Sequence, residues 1–218
     1  MTAITVSKKY ELTNETRVFD NHTLYRIKTL KDFDDIKAGQ LGGFIEDESN
    51  LSHDDNCWVA DNALVYANAR VYDNAHVAGF VYGKARVYGN SRVSIEAHVY
   101  GNAHLSHHSY LFEYARLYGN ARVLGSACLF SYAHVYGYAV VNSREKIYGK
   151  VYDYAKVSGC AQIYGSVYGK AQVYHTIKVF GRVCGRAKLN RQSEIREVPE
   201  NKEVNKSDIL IEIVDTEE

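Results

Sequence analysis

The stretch "LSHHSY" (residues 105–110) sets two imidazoles side by side, His107 and His108, with His104 just upstream and His134 further on. Imidazole titrates near neutrality, so these side chains could take a proton from an attacking hydroxyl or amine as a general base. Other chemistries find less support. The four cysteines (Cys57, Cys128, Cys160, Cys184) have no CxxC spacing and read as reduced thiols. There is no phosphate-binding glycine loop and no nucleophile elbow. Asp47, Asp54 and Asp55 could hold a hard cation, but such acids more often keep a chain end soluble. No metal and no cofactor is expected.

What these histidines can do depends on what positions them, and that is a repeat. From Val93 an apolar residue recurs every six positions: Val93, Val99, Leu105, Leu111, Leu117, Val123, Leu129, Val135, Val141 and Ile147. Val59, Val65, Val71 and Val77 keep the same step. Four residues after most of them stands Ala or Ser, as at Ala69, Ala85, Ser91 and Ala121. In a unit such as "ARVY" the Ala and Val point inward and the Arg and Tyr outward, because side chains alternate along a strand. Gly-Asn then turns the corner, since both residues tolerate the backbone angles a tight bend needs. The pattern predicts an all-β fold, a left-handed parallel β-helix in which three hexapeptide units make one triangular coil.

The exceptions keep one phase. Four-residue units stand at 41–44, 77–80, 147–150, 163–166 and 179–182, each with Gly two residues after its apolar anchor. Coils then start at 41, 59, 77, 93, 111, 129, 147, 163 and 179, nine coils over residues 41–194. Residues 1–40 read as an N-terminal β-rich cap, with two strands around an Asp-Asn turn. Residues 195–218 read as an acidic tail: a linker, then a short strand at 208–214. His107 and His108 fall at a corner where Gly-Asn usually sits.

Stacked coils align residues in columns. One face carries Tyr66, Tyr82, Tyr100, Tyr118, Tyr136, Tyr152 and Tyr168 beside His98, Arg116 and His134, where the arginine interrupts any paired-histidine metal site. A second carries Arg70, Arg86, His104, Arg122, Val140, Lys156, Gln172 and Lys188. A third carries Phe112, Phe130, Tyr148, Tyr164 and Phe180. The tyrosine column reads first as cross-strand stacking, and with its basic neighbours as a platform for an anionic partner. The phenylalanine column reads as an exposed apolar stripe, hence an oligomer interface or a face covered by a chain end. Net charge is zero, but residues 62–194 hold sixteen Lys or Arg against six acids, and residues 195–218 hold eight acids against three bases. No apolar run is long enough to span a membrane. The start "MTAITVSKKYELTNETR" lacks the apolar core of a signal peptide, so a cytoplasmic protein is expected.

The phrases "YELTNETRVFDNHTLYRIKTLKDFDDIKAGQLGGFIEDESNLS" and "NCWVADNALVYANARVYDNAHV", with the later "VYGNA" units, resemble the YdcK-like hexapeptide-repeat proteins common in phage, prophage and bacterial sequences. Leu41, Gly42, Gly43 and Phe44, and the stretch Asn56, Cys57, Trp58, are its most specific parts. The resemblance reaches to about residue 190 and implies the left-handed β-helix of trimeric acyltransferases; it supplies no catalytic residue. Enzymes of that kind commonly throw out a loop to build the active site, and residues 59–194 run without one. The reading therefore favours a non-enzymatic binding protein, a homo-oligomer with a protein partner, over an acyl-CoA-dependent acyltransferase using His107 or His108. A phage-encoded inhibitor of a host defence complex is the version suggested by the setting of the resembling proteins. A nucleic-acid-binding protein using the basic and tyrosine faces is the further alternative.

Overall fold

The computed structural model describes residues 8–206 and 208–213. Three ladders of 13, 8 and 9 strands run the length of a parallel β-solenoid of about nine turns, with one 3-10 turn at Glu48–Asn50 and no α-helix among the described residues. In chain order each coil visits the 13-stranded first face, the 8-stranded second face and the 9-stranded third face. The strands are mostly two residues long, as at Arg86–Val87, where the Arg is exposed and the Val buried. The inward residues Val87, Leu105, Val123 and Leu129 are fully buried, and so are the small residues Ala85, Ala103 and Ala121.

Backbone hydrogen bonds join each coil to the next, as from Arg86 N to Ala103 O (2.9 Å) and from Tyr100 N to Leu117 O (3.0 Å). The corners follow from this stacking. Gly101 has φ 69°, and a Cβ there would meet Gly119 N at 3.0 Å, so the left-handed backbone and the closeness of the next coil both favour glycine at this corner. Where Asp153 takes that corner (φ 57°), its carboxylate accepts a bond from Gly169 N at 3.1 Å, which offsets the strain.

The N-terminal end is closed by β1 (Tyr10–Phe19) and β2 (His22–Thr29), an antiparallel hairpin. Its turn at Asp20 and Asn21 has φ of 50° and 63°, as the twist of a two-residue hairpin requires. β2 pairs antiparallel with β3 (Leu41–Ile45), and β3 starts the parallel ladder by pairing Phe44 and Ile45 with Leu64 and Val65. Leu41, expected to anchor the first coil, pairs with Lys28 and is 46% exposed, because no coil lies beneath it. Buried Lys9 plugs the open end. Its Nζ donates to the carbonyls of Cys57 (2.9 Å), Asp54 (3.2 Å) and Asp55 (3.3 Å), and the Tyr10 hydroxyl donates to Leu51 O at 2.7 Å. These carbonyls would otherwise face an uncovered edge.

The segment read as a linker continues the solenoid instead. Glu197–Val198 pairs parallel with Lys178–Val179, and Lys202–Val204 adds to the first face beside Arg182–Val183. Buried Val198 and Val204 keep the inward apolar position even though the Ala and Gly-Asn signals around them are lost. Ile211–Glu212 then folds back antiparallel on that last strand. Residues 1–7 of the expected cap, and Val214 of the expected 208–214 strand, lie outside the described residues.

One inward position breaks the core's chemistry. Glu145 occupies the small-residue column between Ala127 and Ala161, is fully buried, and neither carboxylate oxygen has a partner. Burial pushes its carboxyl from an ordinary 4.5 up to about 7. Between those values the unfolded chain ionises while the folded chain holds its proton. Stability therefore falls as pH rises through that window and levels off above it. Glu145→Ala restores the repeat's own residue. It is expected to stabilise the protein on the order of 2–3 kcal/mol at pH 8 and to flatten the dependence. Denaturant melts at pH 5 and pH 8 measure both; equal pH dependence in parent and variant would contradict this account.

Candidate functional site

The outward columns become continuous stacks. Tyr82, Tyr100, Tyr118, Tyr136, Tyr152 and Tyr168 lie ring on ring, with neighbouring centroids 4.9 Å apart and planes within 3°. That distance leaves no room for a further flat ring between them, so the column presents edges rather than open faces. Tyr66 heads the stack but is only 3% exposed, covered by Phe19 and His22 of the cap; burial pushes its hydroxyl up to about 12. It offers no binding surface.

On the third face Phe112, Phe130, Tyr148, Tyr164 and Phe180 stack with centroids 4.7–5.0 Å apart. Phe112, Phe130 and Tyr148 are half-buried by their neighbours, so the exposed part of the stripe lies elsewhere than expected. It lies at Tyr164 and Phe180, and at the adjoining corner, where Tyr114 stacks on Tyr132 (5.1 Å) and Ile95 is 63% exposed. The hexapeptide register contained Tyr114 and Tyr132, three residues after their anchors. Reading only the strand positions missed them. Tyr138 and Tyr154 form a similar exposed stack at the corner between the first and second faces.

The histidines separate into corners and ladders. His107 has φ 61° and occupies the position held by Gly89 and Gly125 in neighbouring coils. Its Nδ1 is 2.9 Å from Ser106 Oγ, and His108 Nε2 is 3.2 Å from Asn90 Nδ2. Among the described residues neither has a carboxylate within ion-pair distance. His104 and His134 sit in strands between arginines or lysines, and His98 between Phe80 and Arg116; burial, then the neighbouring cations, holds each imidazole below its ordinary range. His98 also stacks on Phe80 at 4.5 Å.

A different histidine has a carboxylate behind it. His76 Nε2 lies 3.7 Å from Asp34 Oδ2 in a cleft of about 450 Å³ between the cap and the third face. Asn56, Asn74, Asn90, Arg92 and His108 also line it. Burial and then Arg92 lower the His76 pKa, against the opposing pull of Asp34 and Asp35. No sequence signal joins Asp34 to His76, since the cap loop folds back across the solenoid to bring them together. Asp47, weighed as a cation ligand, accepts a bond from Ser49 N at 2.8 Å and caps the 3-10 turn.

The basic residues are uncommitted. Arg70, Arg86 and Arg122 share the second face, and Arg116 stands on the first between His98 and His134; all four are exposed. Among the described residues none of the sixteen Lys and Arg of 62–194 forms an ion pair. No helix among the described residues is long and apolar enough to cross a membrane.

Residues 115–129 match the family model described as the YdcK beta solenoid repeat. The chain is similar to a protein of Escherichia coli (strain K12) described as "Uncharacterized acetyltransferase YdcK", at 37% identity over 60 residues. That stretch covers 24% of this chain and 18% of the relative's length.

The corner geometry of His107 yields a test. Glycine takes a left-handed backbone without steric cost. His107→Gly is therefore expected to melt at or slightly above the parent, by up to about 1 kcal/mol. Thermal unfolding measures it. A clear loss of stability would mean that the imidazole holds the fold through a contact beyond its bond to Ser106.

Proposed function

We propose that this YdcK-like hexapeptide-repeat β-solenoid is a non-enzymatic binding scaffold that self-associates along its aromatic edge and recognises other macromolecules through its remaining faces. The observation that carries this reading is the edge between the third and first faces. There the Phe112–Phe180 stack, the Tyr114–Tyr132 stack and exposed Ile95 form one apolar strip. Exposed strips of this kind mark interfaces. The strip is straight, and its rings repeat at 4.7–5.1 Å. A second copy presents the same repeat, so two strips can pack in register, as closed symmetric assembly requires. The host-defence version is tied to the setting of resembling proteins and to no residue of this chain.

Acetyl transfer is the second reading. It is favoured by the relative's description and by His76, the one third-face histidine that Asp34 could orient as a base. The corner pair His107 and His108 has no such partner. If this reading holds, turnover of acetyl-CoA is lost in His76→Ala and kept in His107→Ala.

Self-association is tested by sedimentation of the parent and of Phe130→Lys. The expected result is an oligomer that dissociates to monomers while the circular dichroism of the coil is unchanged, because the ring points outward. A monomeric parent refutes the reading. Acetyl-CoA turnover abolished by His76→Ala would replace it with the second.

A further inference from the structure

We infer that the second face is a phosphate-tracking surface that holds nucleic acid without regard to base sequence. The inference concerns a face separate from the aromatic edge and does not depend on self-association.

Arg70, Arg86, Arg122, Lys156 and Lys188 stand in one straight column on this face, with His104, Val140 and Gln172 at the positions between them, and all five cations are exposed. From Arg70 to Lys188 the column spans seven coil steps, about 34 Å at ~4.8 Å per coil. Lys84, Lys170 and Arg186 line the corner beside it. None of these cations has a carboxylate partner within 4.0 Å among the described residues.

Asp73 and Asp153 stand at the two corners of the second face, and Glu194 follows its last strand. Asp73 and Asp153 accept backbone bonds from Gly89 and Gly169, and Glu145 is buried. Glu96 and Glu113 sit at the corner of the aromatic edge, on left-handed backbone. No strand of the second face carries an acid. Glu48, at the N-terminal end of the row beside Arg70 and Arg86, also approaches it, and Lys8 and His53 hold that carboxylate.

Two further observations select the partner. The strands of the face carry no exposed large apolar side chain; the nearest, Tyr138 and Tyr154, stand off it in the corner column that also holds Lys84, Lys170 and Arg186, so the face itself lacks the apolar centre around which a protein interface forms. Of its aromatic rings, Tyr72 and Tyr88 stack on each other at 4.9 Å with no gap for a base, and half-buried Tyr174 donates its hydroxyl to Gln172 Oε1 at 2.8 Å. What remains is a line of cations at multiples of one spacing. That geometry neutralises a chain of phosphates and reads no base edge.

The test uses the full chain and fluorescent 30-nucleotide single-stranded DNA, duplex DNA and RNA of unrelated sequences, read by anisotropy. Binding is expected at low salt, similar for unrelated sequences of one type, and weaker by about a hundredfold between 50 and 150 mM salt for five phosphate contacts. The double variant Arg86→Glu, Arg122→Glu should lose at least about tenfold in affinity and lower the salt slope by about two, one for each contact. The double variant Lys146→Glu, Lys178→Glu, an equal charge change on the third face, should stay within about twofold of the parent. Matching circular dichroism shows that the variants are folded. No binding to any of the three at 50 mM salt overturns the inference, as does equal loss in the second-face and third-face variants. A lysate partner captured through Arg86 and Arg122 that survives nuclease treatment as a protein also overturns it.

Discussion

Each coil is hydrogen-bonded to the next through backbone groups that lie directly above one another, and this alignment leaves a side chain no choice of neighbour. A residue meets its own equivalents one coil above and one coil below, at the inter-strand spacing. Inside, equivalents must therefore be small or branched and uncharged. Outside, like sits on like. Tyrosine gains from that arrangement, since offset rings stack well. Arginine and lysine do not, since like charges across adjacent strands repel. The column of Arg70 over Arg86 persists because the backbone ladder holds it there, together with the buried core beneath.

The same alignment makes the ends expensive. A coil with no neighbour leaves a row of carbonyls unanswered, and this chain answers them in two ways. At the N-terminal end Lys9 enters the first coil with its ammonium on three carbonyls and near the face of Phe33 (5.1 Å), while Trp58 packs edge-on against the same ring. Burial lowers the pKa of that lysine, so its contacts trade desolvation against charge-assisted hydrogen bonds. At the other end, residues 197–204 continue two ladders and Ile211–Glu212 turns back along the last strand.

The solenoid was legible in the sequence because its period is set by the backbone, and every coil pays the same steric rule. The stacked tyrosines and the basic columns followed from that register alone. What escaped was whatever depended on a segment outside the repeat. Tyr66 belongs to the tyrosine column by register, yet the hairpin lays Phe19 and His22 over it. Leu41 has the anchor's residue type, yet no coil precedes it. The stretch after 195 lost its Ala and Gly-Asn markers but kept the inward Val198 and Val204, so a reading that weighed corners above cores stopped too early. His76 looked like any outward ladder residue until the loop carrying Asp34 crossed it. Glu145 was readable from the register, four residues after Val141 at the inward small-residue position, and was passed over because its residue type marks a surface.

A coil without projecting loops has only its faces and edges to act with, so the distribution of chemistry among them is the functional content of the molecule. Zero net charge conceals strong separation. Six acids and no Lys or Arg occupy residues 41–61 at the capped end, and a surplus of ten cations covers the body. Exposed rings gather along the edge between the third and first faces and, as Tyr138 and Tyr154, at the corner between the first and second, and Glu96 and Glu113 stand beside the former rather than beside the arginines. Pairing these acids with the cations would have relieved the like-charge columns at little structural cost, since both kinds of residue point outward. Leaving them apart keeps an oriented field over the second face. Such a field acts on a charged partner before contact, raising its rate of arrival and setting the side from which it docks.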